Sequence, residues 1–347
     1  CKTALYQYVS IFLKSDLFIS QLRGFRGTTT INQLTQNNFN DFWIPIPPAN
    51  EQKRIVEKLQ NVSPFIVRYS KSQDALHLMN MQIIEQLKKS VLQEAIQGKL
   101  VPQDPNDEPA SVLLERIRAE KAKLVKEKKI KKDKNESIIY RGEDNSYYEK
   151  FLATGEVKCI DEEIPFEIPK GWEWERWGNI SQSIQYGYNA PALEKGVIRM
   201  VRISDIQDNK VFWNNVPFCM IEEKDIETYL LEINDILFAR TGGTVGKSFL
   251  VEDVPMKSIY AGYLIRTRYS SLLCPHYMKA FMESQLYWDQ LKNGTIATAQ
   301  PNCNGKTLAK MLLPIPPINE QKRIVEILHR ISPFIERYSK SQDALHL

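Results

Sequence analysis

The chain carries one 34-residue segment twice. Residues 45–78 (PIPPANEQKRIVEKLQNVSPFIVRYSKSQDALHL) and residues 314–347 (PIPPINEQKRIVEILHRISPFIERYSKSQDALHL) stand at a constant offset of 269 and differ at six positions. The differing pairs are Ala49/Ile318, Lys58/Ile327, Gln60/His329, Asn61/Arg330, Val62/Ile331 and Val67/Glu336. A repeat this long and this far apart implies a pseudo-symmetric protein built from two equivalent halves. The segment between the copies is then the working part, and the copies are scaffold.

The repeat reads as helix. Asn50 is a good N-cap, with Glu51 and Gln52 in the first turn. Beyond it Ile55, Leu59, Val62, Ile66, Tyr69, Leu76, Ile83 and Leu87 recur at heptad-like spacing, with weak steps at Gln73 and Asn80. Pro64 predicts a kink, or a restart capped by Ser63. The pattern persists to about Gln97 and stops at Gly98, a common C-terminal signal. A helix of that length spans roughly 70 Å, so it is a strut or half of a coiled coil.

With 347 residues, two or three compact units are expected. The net charge of +4 is too small to argue a nucleic-acid partner, but its distribution says more. Eight lysines lie between Lys121 and Lys134, against Glu127 and Asp133. Such a run reads first as a solvated helix face or linker, and second as a phosphate contact surface. The five cysteines are scattered and form no C-x-x-C pair, which suits a reducing cytoplasm. No apolar run has the length of a membrane span, and no secretory leader opens the chain. Residue 1 is Cys rather than Met, so the sequence reads as a fragment.

Along the chain, residues 4–22 read as a helix, 24–30 as a Gly/Thr-rich loop and 42–46 as a short strand stopped by Pro47 and Pro48. Residues 101–109 read as a turn, 110–134 as a charged helix, and 137–163 as polar and loop-like. A new domain opens near Ile164 with Trp172, Trp174 and Trp177, an aromatic cluster that reads as core. Strand-like runs follow at 197–203, 211–216, 235–238, 247–251 and 259–266, then a helix over 275–292 and a polar stretch over 294–313. These alternations predict an α/β (mixed α+β) domain. Residues 5–48 repeat the order seen in 278–317, with Gly27-Thr28 opposite Gly294-Thr295, so residues 1–48 look like the tail of a second such domain.

At this point the chain resembles the specificity subunit of a type I restriction–modification enzyme. The carrying motifs are IPKGWEWERWGNI (168–180), DILFARTGGTVGKSFLV (235–251), the Tyr-Leu-Ile-Arg run (263–266) and the duplicated PIPPxNEQKRIVE. The resemblance implies two target-recognition domains, each reading one half of a split double-stranded DNA site. It implies two long helices paired as an antiparallel coiled coil, giving a pseudo-twofold molecule. The corresponding segments are 1–48, the C-terminal part of the first recognition domain; 49–98, the first long helix; 99–163, a charged helix and linker; 164–317, the second recognition domain; and 318–347, the start of the second helix. The chain departs from the family pattern where the first recognition domain lacks its Pro-x-Gly-Trp opening and where the second helix stops at Leu347. Implied partners are methyltransferase subunits on the helices and restriction/translocase subunits through the complex, in the cytoplasm with no membrane. The subunit is implied to be non-catalytic and to bind no cofactor; S-adenosylmethionine, ATP and Mg are expected on the partner subunits. The eight seam residues, Ile55 to Leu87 as named above, are then the helix and subunit interface.

The residues themselves leave other readings open. TGGTVGKS (241–248) approaches a nucleotide-binding loop, but Thr241 stands where the first glycine is needed. It reads as a tight strand–turn–strand, or as a backbone loop that approaches a DNA phosphate with Arg240 and Lys247. The paired prolines are followed by Ala-Asn and Ile-Asn, not by the aromatic residue of an adenine methyltransferase. His77, His276, His329 and His346 offer no metal spacing. A scaffold joining proteins through coiled coils is the reading supported by repeat and seam alone. For base edges and phosphates the useful side chains are Arg, Lys, Asn and Gln, with Ser, Thr and Tyr. On that ground the DNA-binding candidates are Gln185, Tyr186, Tyr188, Arg199, Arg202, Arg240, Thr241, Lys247, Asn293, Thr295, Gln300 and Asn302.

Overall fold

Residues 4–22, expected as one helix, form two: α1 (Lys2–Phe12) and α2 (Asp16–Gly24). Ser15 is the cause. Its hydroxyl donates to the Phe12 carbonyl (2.7 Å) and accepts from the Phe18 N–H (3.3 Å), a local pairing that competes with helix continuation. The computed structural model describes residues 2–24, 41–207, 209–294 and 304–344. They fall into two units, Cys1–Gln82 and Ile83–Leu347. Residues 42–46, expected as a short strand, form no strand among the described residues.

The long seam becomes α3 (Ala49–Ile96), one helix that runs through Pro64. The expected kink or restart does not occur as a break. Gln60 and Pro64 are both exposed, so water can serve the carbonyl that proline leaves unpaired. The helix stops as expected: Gly98 has φ +71°, and the Lys99 N–H donates back to the Glu94 carbonyl at 2.9 Å. No helix among the described residues is long and apolar enough to cross a membrane.

Helix α4 (Ala110–Lys126) is shorter than the expected 110–134 and buries Leu113, Leu114 and Ile117. The segment expected to be loop, 137–163, is corrected by the structure. It forms an antiparallel meander of β1 (Ser137–Arg141), β2 (Tyr147–Phe151) and β3 (Val157–Cys159). Its inner face hides polar residues. Ser137 donates to Glu149 (2.6 Å), Arg176 donates to both Glu149 oxygens, and Asn179 donates to the Ser137 carbonyl (2.9 Å).

The domain that follows opens with β4 (Glu173–Arg176), the short α5 (Trp177–Ile180) and β5 (Ser181–Tyr186). Then come β6 (Ile198–Val201), the hairpin β7 (Ile206–Gln207) and β8 (Lys210–Val211), β9 (Phe218–Cys219) and α6 (Glu223–Tyr229). Next are β10 (Ile236–Ala239), β11 (Ser248–Leu250), β12 (Ser258–Tyr260) and β13 (Leu264–Tyr269). The expected strand over 259–266 is therefore two strands of different sheets. The expected helix over 275–292 is α7 (Pro275–Glu283) and α8 (Gln285–Gly294), broken at Ser284. A short α9 (Gly305–Ala309), β14 (Leu312–Ile315) and α10 (Ile318–Ala344) complete the order.

The main sheet is antiparallel, in the order β11-β10-β13-β5. A second sheet, β12-β6-β9, contains a parallel pair, and β14 pairs with β4. Strand β10 is buried on both faces: Ile236 and Phe238 join the core with Tyr277, Phe281 and Tyr287, while Leu237 joins Phe249, Leu264 and Tyr260. Trp172, Trp174 and Trp177 are buried, as the sequence indicated.

Each half fixes the start of its long helix in the same way. The Tyr8 hydroxyl donates to the Pro45 carbonyl, and that of Tyr277 to the Pro314 carbonyl, both at 2.9 Å. Gln52 donates to the Pro47 carbonyl (2.8 Å) and Gln321 to that of Pro316 (2.9 Å). Gln21 bridges the Trp43 backbone as Gln290 bridges that of Leu312. Ser284 bonds the Phe281 carbonyl as Ser15 bonds that of Phe12. Every pair keeps the 269-residue offset, so the duplication reaches back before residue 45 into segments whose sequences have diverged.

Glu320, at the start of α10, is buried and accepts from the Trp172 indole (3.0 Å) and the Gln103 amide (2.8 Å). Desolvation pushes its carboxyl above the ordinary range, against those two hydrogen bonds. A raised carboxyl binds protons better in the folded chain than in the unfolded one. Its stabilisation is present below the ordinary pKa of 4.5 and is lost as pH rises through the raised value. We therefore expect the thermal stability of Glu320→Gln to rise relative to that of the native chain as pH is raised above 4.5. Parallel calorimetric pH series that move together would refute this.

Candidate nucleic-acid interface

The antiparallel main sheet brings the end of β5, the end of β10, the start of β11 and the start of β13 to one edge. The segments leaving that edge therefore lie side by side. With the strand ends they contain Gln185 and Tyr186 closing β5 and Tyr188 just beyond it, Arg240, Thr241 and Lys247 between β10 and β11, and the turn 261–263 before β13.

Glycine permits the closeness. The Tyr188 N–H donates to the Tyr260 carbonyl (2.8 Å) and the Gly262 N–H to the Tyr188 carbonyl (2.9 Å). A Cβ on Gly187 would stand 2.2 Å from the Ala261 carbonyl oxygen. Gly187→Ala must push these backbones apart. A loss of about 1–3 kcal/mol in denaturant unfolding is expected, and an unchanged midpoint would show that the two segments are not held together.

Arg240 is the centre of the edge. Its guanidinium lies 4.6 Å from the centroid of the Tyr186 ring, and the Tyr186 hydroxyl accepts from the Gly305 N–H at 3.0 Å. Arg240 Nη1 reaches the Gly262 carbonyl at 3.5 Å, while its Nε is buried with no hydrogen-bond partner. A planar cation stacked on an aromatic face has its orientation set before any ligand arrives. Lys247 is exposed nearby; Thr241 opens the single turn Gly242–Thr244 that joins β10 to β11. This is the strand–turn–strand reading of 241–248. A strand, not a helix, follows the loop, which removes the nucleotide-loop alternative.

The other candidates are placed differently. Gln185 accepts from buried Arg266 at 2.8 Å, and Tyr188 packs edge-on against Tyr229. Arg199 donates to the carbonyls of Trp213 and Val216 and lies over the Phe218 ring. Arg202 forms a two-pronged pair with buried Asp205 (2.7 and 3.1 Å). Asn293 is exposed on α8; Thr295, Gln300 and Asn302 lie outside the described residues. Tyr263, which residue-type reasoning passed over, is 66% exposed at the same edge. Its signal in the sequence was an aromatic directly after the Ala-Gly turn and before a buried strand. Among the seam residues Ile55 is half-buried, whereas Leu59, Val62, Ile66, Tyr69, Leu76, Ile83 and Leu87 are exposed.

Comparison with known proteins fits this geometry. The family model of the type I restriction modification DNA specificity domain matches residues 2–73 and 169–345. The chain belongs to this family. As a specificity-domain protein it is 28% identical over 369 residues to the type I restriction enzyme EcoAI specificity subunit of Escherichia coli, covering 92% of this chain and 58% of that protein. It is 28% identical over 403 residues to the EcoEI specificity subunit of Escherichia coli, covering 98% and 63%. A solved chain from work on complex assembly and conformational transition of the type I R-M system shares the fold, with a TM-score of 0.58 at 17% identity, covering 97% of this chain and 66% of that one. The specificity-domain chain thus spans 58–66% of the length of these relatives. Residues 74–168, with the charged helix and the meander, fall outside the family match.

Proposed function

We propose that the chain is a sequence-specific DNA-binding component of a type I restriction–modification complex. One recognition domain, 164–317, reads one half of a bipartite site from the sheet edge built around Arg240. The segment 1–48 belongs to the domain that reads the other half. The helices 49–98 and 318–347 pair as an antiparallel coiled coil with pseudo-twofold symmetry, set the spacing between half-sites and dock methyltransferase subunits. The observation that carries this reading is the convergence of polar and aromatic groups from separate segments on one end of a rigid sheet. Such a surface can meet several adjacent base pairs without rearrangement. The exposed apolar seam on α3 supports the role assigned to the helices: a row that includes Leu59, Ile66, Tyr69 and Leu76 is a surface built to be covered. In this reading the chain performs no covalent step. Methyl transfer, cleavage and translocation belong to partner subunits, which hold S-adenosylmethionine, ATP and Mg.

The test is reconstitution with methyltransferase subunits, followed by single-molecule sequencing of methylated bases. A two-part motif that appears only when this chain is present is expected. Methylation without sequence preference would overturn the reading.

A further inference from the structure

The lysine run divides between a solvated helix face, at Lys123 and Lys126, and a segment whose ends are fixed. Both ends of the segment are pinned to one residue. Buried Lys121 donates from Nζ to the Gly178 and Asn179 carbonyls (2.9 and 3.1 Å), and the Ser137 N–H donates to the Asn179 side-chain oxygen (3.2 Å). Between these anchors α4 ends in a tight corner. Lys128 has φ +60°, and the Lys129 N–H folds back on the Leu124 carbonyl at 2.9 Å. The intervening residues form a loop held at its base.

Its charge is one-sided. Lys123 and Lys126 are exposed on the last turns of α4, Lys128 and Lys129 on the corner, and Lys131, Lys132 and Lys134 beyond it. Between the anchors stand three acids. Glu127 pairs with Lys129 (2.8 Å) and stands 4.0 Å from Lys123, and Asp133 and Glu136 are the others. A helix C-terminus is satisfied by one or two cations in its last turn. That accounts for Lys123 and Lys126, but not for the lysines past the corner. Like charges held this close repel unless an anion lies against them.

We propose that this pinned loop is a second, sequence-independent contact to the phosphate backbone of duplex DNA, outside the bases read at the sheet edge. The inference rests on the DNA-binding reading above. The loop is anchored beside the start of β5, whereas the reading loops leave its far end. Six strand residues separate them, about 20 Å. That is less than the ~34 Å of one duplex turn, so the loop meets backbone flanking the recognised half-site. Lysines on flexible stems suit phosphate, which carries no sequence information.

The test uses the full chain and a fluorescent duplex of arbitrary sequence, with affinity followed by anisotropy from about 50 to about 200 mM salt. The patch variant is Lys128→Gln, Lys131→Gln, Lys132→Gln and Lys134→Gln combined. The control carries the same charge change on exposed lysines elsewhere: Lys170→Gln, Lys195→Gln, Lys224→Gln and Lys257→Gln. The patch variant is expected to flatten the slope of log affinity against log salt by roughly 3–4, and the control to leave it close to the native value. Equal slopes for patch variant and native chain would overturn the proposal, as would no duplex binding by the native chain. Loss of co-purifying methyltransferase with an unchanged slope would also overturn it, by assigning the loop to an acidic protein surface. A two-part methylated motif together with equal slopes would remove this proposal alone; loss of the motif would remove the reading beneath it.

Discussion

Trp177→Ala is expected to destabilise the unit Ile83–Leu347 by about 3–5 kcal/mol and to lower its melting temperature by roughly 10 °C. The indole is fully buried, stacked on Phe281 at 5.8 Å and edge-on to Tyr269 at 6.4 Å. The residue stands where β4 passes into β5, and its backbone N–H donates to the Met311 carbonyl at 2.9 Å, next to β14. Truncation leaves a cavity among the elements that support the sheet edge around Arg240. The indole nitrogen has no hydrogen-bond partner, so that atom contributes cost rather than stability. Trp177→Phe keeps most of the ring contact and discards the orphan donor, and is expected to lose less than about 2 kcal/mol. Calorimetry of both variants decides the matter. An alanine variant within about 1 kcal/mol of native would place the supporting core elsewhere.

The second large effect is on recognition. Arg240→Ala is expected to reduce methylation at the cognate motif by about 10- to 100-fold, the range set by loss of one oriented arginine contact to a base. Arg240→Lys should not restore it, because lysine keeps the charge but not the planar face that rests on Tyr186. Arg202→Ala is the contrast. Its guanidinium holds Asp205 and its fold-side turn, so stability should fall while the methylated motif stays the same. If Arg240→Ala leaves the rate at the cognate motif intact, the sheet edge is not the reading surface.

The long helix, its glycine stop and the tryptophan core were legible in the sequence because each depends on local pattern or on apolar bulk. The meander was not. Its inward positions are Ser137 and Glu149, buried at 1% and 4% exposure, alongside Ile139 and Tyr147, so polar residues interrupt the apolar alternation that marks a half-buried strand. Only Asn179 and Arg176, distant in sequence, make that face tolerable. The breaks at Ser15 and Ser284 were missed for a similar reason. Apolar periodicity continues across both, and a single hydroxyl bond to a carbonyl three residues back decides the geometry. For the candidate interface, residue type selected Arg240 and Arg202 alike. What separates them is a buried aspartate three residues from one and a tyrosine face beneath the other, and neither follows from composition.

The hydrogen bonds that fix each long helix to the segment before it have a consequence for the gene. Tyr8, Gln21 and Gln52 meet acceptors between Trp43 and Pro47, and Tyr277, Gln290 and Gln321 meet theirs between Leu312 and Pro316. Every such joint closes upstream of residues 68–78 and 337–347, the stretch over which the two copies are identical. A DNA crossover within that stretch would hand over a head with its coupling already made, so new pairings of heads could arise without any side chain having to find an unfamiliar mate.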